Sequence, residues 1–138
     1  MKTKGFLCAT CAALGGAAEF FWGPFSYDLA SLMVFMAIDY IMGIIVAAVF
    51  KKSPKTKNGR LSSEACFKGI IRKAVMLMFV VTAHMLDGIL GVNFIRGAVI
   101  VGFSVNELIS IVENAGLMGI VSPAMENALE VLKERMGK

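Results

Sequence analysis

The chain has 138 residues, enough for one domain, and 57% of them are hydrophobic, with 14 glycines besides. Mean hydropathy is +0.74, and charged side chains number only 24, the sum of 14 basic and 10 acidic. A water-soluble globule of this size cannot hide so much apolar surface, and disorder needs the opposite composition, so the expectation is an all-α integral membrane protein.

Lys2 and Lys4 precede an uncharged Gly/Ala-rich stretch, Gly5 to Ala18. Two readings are open: a signal peptide ending at Gly16-Ala17-Ala18, or an uncleaved first span over 5–22 that closes in the interfacial aromatics Phe20, Phe21 and Trp22. The uncleaved span is preferred. Cys8 and Cys11 form a C-x-x-C inside this run, with no second pair and no nearby histidine, and Cys66 is remote. They read as small membrane-buried residues rather than a metal or redox site. Gly23-Pro24 is a turn signal.

The second span, 29–50, is firmer; its 22 residues reach roughly 33 Å as a helix, which matches the bilayer core. A polar loop over 51–69 follows, with Pro54, an Asn58-Gly59 turn and a helix-start signal at Ser62-Ser63-Glu64. The third span covers 70–90, with its start open between Ile70 and Ala74, and, after a turn at Gly91-Val92-Asn93, the fourth covers 94–117. Residues 1–121 thus form a transmembrane helical domain, and 122–138 an amphipathic helix capped by Ser122 and begun by Pro123. Its apolar face carries Met125, Ala128, Leu129, Leu132 and Met136. The opposite face is charge-balanced, which favours helix–helix association over binding to a membrane surface.

Eight of the 14 basic residues lie between Lys51 and Lys73, where Glu64 is the only acid. A basic loop between apolar blocks marks the cytoplasmic side. With four spans, both termini and this loop share that side, which then holds 13 of the 14 basic residues, all but Arg96. The loop lacks interleaved aromatics beyond Phe67, so nucleic acid is not an expected partner.

Ionisable groups inside the spans are the informative feature. Asp39 sits at the middle of the second span, where an acid costs about 2.5–3.5 kcal/mol on insertion scales and must face protein or water. Gly43 and Ala47 follow at i+4 and i+8 as a small-residue strip suited to close helix contact. In the fourth span Arg96, Phe103, Glu107, Ser110 and Asn114 share a stripe, with Asn106 and Glu113 beside it. Lipid does not face such a stripe. It suits an oligomer face or a wall that meets water when a pore opens; a small bundle is expected to hold few partners for Glu107 and Glu113 together. Arg96 can pair with Asp87 at the turn, and His84, one turn before Asp87, reads as its structural polar partner. No HExxH, P-loop, nucleophile elbow or zinc spacing occurs, so no enzyme, metal or cofactor is expected.

Several of these residues fall in motifs that resemble a known family. Asp39-Tyr40-Ile41-Met42-Gly43-Ile44 is similar to the D-Y-x-x-G-I motif of the small phage lysis holins, a family that includes clostridial toxin-secretion holins. The basic run Phe67 to Lys73, then His84-Met85-Leu86-Asp87, then the stretch Asn106 to Asn114 (N-E-x-x-S-I-x-E-N) follow in that family's order. The tail with Gly119 and Pro123 also fits. The resemblance covers roughly residues 29 to 136. Met42 stands where the family often has Thr, and the next methionine after Met1 is Met33, so no second start near the first is visible. The resemblance implies a protein that accumulates in the bacterial cytoplasmic membrane, associates with copies of itself and opens lesions. Through these a peptidoglycan hydrolase (endolysin) or a large toxin leaves the cell. The residues alone also admit a small ion channel or transporter subunit, and a membrane scaffold or holin antagonist that never permeabilises.

Overall fold

The computed structural model describes residues 2–135 and 137, and the described residues contain helices and no strand. Met136, expected on the apolar face of the tail, lies outside them. Helix α1 covers Lys2–Trp22, α2 Tyr27–Ile45, α3 Ser63–Leu90, α4 Ile95–Leu117 and α5 Pro123–Arg135; α2 runs on into a π-helical turn at Val46–Phe50. Four of these helices, α2 with its π turn counted as one, are long and apolar enough to cross a membrane.

Local chemistry sets the boundaries. The Ser62 hydroxyl accepts a hydrogen bond from the Ala65 amide at 3.5 Å, and Glu64 pairs with Lys68 one turn on at 2.7 Å. Cap and pair together carry α3 outward to Ser63, beyond the apolar run that starts near Ile70. Gly23 has φ 76°, and a Cβ there would meet the His84 ring at 2.9 Å, so the turn between α1 and α2 closes only around a glycine. In the loop, Ser53 donates its amide to the Gly59 carbonyl at 3.0 Å, and a side chain at Gly59 would collide with the Lys51 carbonyl. The stretch between α2 and α3 is thus folded back on itself rather than extended.

The body is α2, α3 and α4. α2 packs most extensively on α4, and α3 lies against α4. Leu29, Leu32 and Met36 from α2, Met76 and Val80 from α3, and Ile100 from α4 form the core, with Trp22, Leu77, Val99 and Phe103 at its margin. Large apolar side chains cover the outside, among them Ile38, Ile41, Phe79 and Val101, as a surface facing hydrocarbon requires. α1 differs: its residues 3–21 are all exposed, and it lies mainly against α3, with only its last residue, Trp22, reached by α4.

Candidate functional site

α2 and α4 start from the same end of the body and run in the same direction. Asp39 stands twelve residues after Tyr27, and Glu107 twelve after Ile95, so both lie roughly 18 Å along their helices and share one depth. Between them comes Lys73 of α3. Its ammonium donates to Asp39 Oδ2 at 2.9 Å and to Glu107 Oε2. On the other side of Asp39, the Asn114 amide donates to Oδ1 at 3.0 Å. Asp39, Glu107 and Asn114 are buried, and the Lys73 side chain is 15% exposed. Three helices are thereby held by one network that gives every buried charge a partner of opposite sign.

Energetics decide what such a network does. Each charge alone is costly in the bilayer, and their mutual attraction offsets the cost only while all partners stay in place. An intact network is therefore weakly stabilising, whereas a broken one costs about 3–5 kcal/mol. Asn106 and Ser110 are half-buried and line the same cavity, beside Asp39 and Glu107.

The other expected site residues lie elsewhere. Gly43 is half-buried, but the group nearest a Cβ built on it is the Lys55 ammonium of the loop, at 3.9 Å. The close approach of α2 to α3 occurs instead at Gly69, where the Tyr40 ring would lie 3.3 Å from a Cβ. Glu113 pairs with Lys133 of α5 at 2.6 Å, outside the network and partly exposed. The small bundle does hold partners for both glutamates, contrary to the expectation from sequence, because Lys73 reaches one and the tail reaches the other.

A second polar cluster closes the opposite end. Asp87 accepts from the backbone amides of Ile95 and Arg96, both at 2.9 Å, and so caps the N-terminus of α4 with a carboxylate. The Arg96 guanidinium turns away from Asp87. Its Nε donates to the Trp22 carbonyl at 2.7 Å, and its Nη2 to the Pro24 carbonyl at 3.0 Å and to Ser26 Oγ at 3.1 Å. Arg96 thus staples the α1–α2 turn and is remote from the Glu107 end of its stripe. The polar pair expected of His84 and Asp87 does not form: Asp87 spends its oxygens on backbone amides, and His84 packs against Gly23.

Lys73 is the member that sequence reasoning missed. In residue order it closes the basic stretch that begins at Lys51, and only the two acids facing inward from neighbouring spans call for a cation here. Among the described residues no three His, Cys, Asp or Glu side chains stand close enough to hold a metal ion.

A bacteriophage holin family model matches residues 16–134. An uncharacterized protein of Halalkalibacterium halodurans is 35% identical over 131 residues, covering 90% of this chain and 91% of its own length. Uncharacterized proteins of Listeria monocytogenes and Listeria innocua are each 34% identical, over 126 and 125 residues, covering 90% and 89% of this chain and 84% of their own. No solved structure matches.

Proposed function

The chain belongs to the bacteriophage holin family, and from that membership we propose that it assembles with its own copies in the bacterial cytoplasmic membrane and opens lesions there. The cargo is a peptidoglycan hydrolase or a secreted toxin, and both termini and the basic loop lie in the cytoplasm. The family is not an enzyme family, and the reading needs no cofactor.

The observation that carries the proposal is the network of Asp39, Lys73, Glu107 and Asn114. In one subunit these groups satisfy each other, so the subunit inserts and waits without presenting charge to lipid. When subunits crowd, the same groups can exchange intramolecular partners for water or for a neighbour. The α3–α4 side carrying Asn106, Glu107 and Ser110 then becomes the wall of an aqueous opening. The charge pattern supports the orientation, because it gathers 13 of 14 basic residues on one side.

The test is induced expression in bacteria with and without a co-expressed cytoplasmic endolysin, following culture density and membrane potential. The expected result is abrupt depolarisation after a delay, with lysis only when endolysin is present. Stable growth with protein in the membrane would sink the proposal in favour of an antagonist or scaffold; small, ion-selective conductance would favour a channel. Glu107→Leu and Asn106→Leu are expected to insert normally but to abolish or mistime depolarisation. Unchanged timing in both removes this wall from the mechanism.

A further inference from the structure

Two cavities on the α3–α4 side lie next to each other, with Arg72 and Asn106 in the walls of both. One, of about 270 Å³, opens at the loop end of the body and is lined by Lys55, Lys68, Arg72 and Lys73 above the buried Asp39 and Glu107. The other, of about 750 Å³, lies between α3 and α4. Its walls are Val75, Met76, Phe79, Val99, Gly102 and Phe103, with the Phe79 and Phe103 rings meeting edge to face, their centroids 6.1 Å apart. Side by side they make a groove that is cationic at one end and mainly apolar along the rest.

The charges at the cationic end are not used up by the protein. Lys73 is shared by the two buried carboxylates and offsets one of their two charges, so Lys55, Lys68 and Arg72 leave this end of the cavity with an excess of positive charge. Lys68 pairs only with Glu64, on the exposed surface, where an ion pair is worth little. Arg72 and Lys55 form no ion pair among the described residues. Depth fits as well. Arg72 is eighteen residues before Leu90, roughly 27 Å along α3, which is close to the ~30 Å thickness of a hydrocarbon core.

We propose that this groove binds an anionic phospholipid. Arg72, Lys68 and Lys55 hold the phosphate and headgroup, and an acyl chain lies along Val75, Phe79, Gly102 and Phe103. Basic pockets between membrane helices at an interface are suited to such headgroups, and the apolar run gives the chain a place that a free anion would leave empty. The proposal rests on the protein being in a membrane and not on lesion formation.

The test uses the full chain in bilayer nanodiscs containing phosphatidylcholine and phosphatidylglycerol, extracted into mild detergent, with retained lipid read by native mass spectrometry. Phosphatidylglycerol should be retained in preference to phosphatidylcholine. The double variant Arg72→Gln, Lys55→Gln should lose it by a factor of about five for each charge removed. Lys52→Gln with Lys57→Gln removes the same charge outside the groove and should leave retention unchanged. Gly102→Leu, at a position where a Cβ meets nothing within 4 Å, should weaken retention by filling the apolar stretch. Four results would each overturn the proposal. These are equal retention of both lipids, equal loss in the control variant, displacement by inorganic phosphate alone, and a Gly102→Leu variant that changes oligomeric mass but keeps its lipid. The last would mean that a second copy fills the groove.

Discussion

The α2–α4 body and helix α1 answer the same solvent problem in opposite ways. The body carries charge deep inside and matches it internally, Lys73 against Asp39 and Glu107, with Asn114 completing the coordination of Asp39. α1 leaves its charged Lys4 and Glu19 exposed, buries nothing over residues 3–21, and is fixed at its last residue, where Arg96 grips the Trp22 carbonyl. A helix held at one end is free to change its surroundings without disturbing the core. A helix cross-linked at mid-depth is not. The difference assigns adaptability to α1 and integrity to the body.

The largest expected effect comes from attacking the body. Lys73→Met strands two buried carboxylates and should lower the stability of the bundle in detergent by about 3–5 kcal/mol, measured as a fall in thermal midpoint. If the midpoint hardly moves, the network is not what holds the body together, and the contrast with α1 disappears. Arg96→Met should act on the hinge instead. It removes three guanidinium hydrogen bonds and costs about 2 kcal/mol. The informative readout is protease cleavage across residues 23–26, which should accelerate more than the midpoint falls. Smallest of all is Glu113→Ala, which cuts the partly exposed bridge to Lys133 and should cost at most about 1 kcal/mol, while freeing α5 as seen by faster amide exchange in residues 123–135.

Much of the body was legible from residue order. Long apolar runs fixed α2, α3 and α4, and the turn glycines and Ser62 fixed their ends, because those signals are local. Asp39 and Glu107 were legible as inward-facing from their cost in lipid. Lys73 was not, because it is the eighth base of a basic stretch and only the end of α3 decides whether it belongs to loop or span. The role of Asp87 was hidden for another reason. Its partners are backbone amides, which every sequence possesses and none advertises, so spacing suggested the Arg96 and His84 side chains instead. The grip of Arg96 on the α1–α2 turn joins residues more than seventy apart and depends on how α4 is seated against α2.

The π turn at Val46–Phe50 has its own consequence for how such a chain can vary in length. A π turn holds one residue more than an α-helix needs, and shedding it returns the segment to ordinary pitch. A one-residue deletion within 46–50 would leave Asp39 and everything back to Tyr27 in register. The same deletion between Tyr27 and Asp39 would swing one part of α2 about 100° against the other and take Asp39 away from Lys73. Within α2 and its continuation, a one-residue gap thus spares the inner charge in the last turn before the loop and not in the stretch before Asp39.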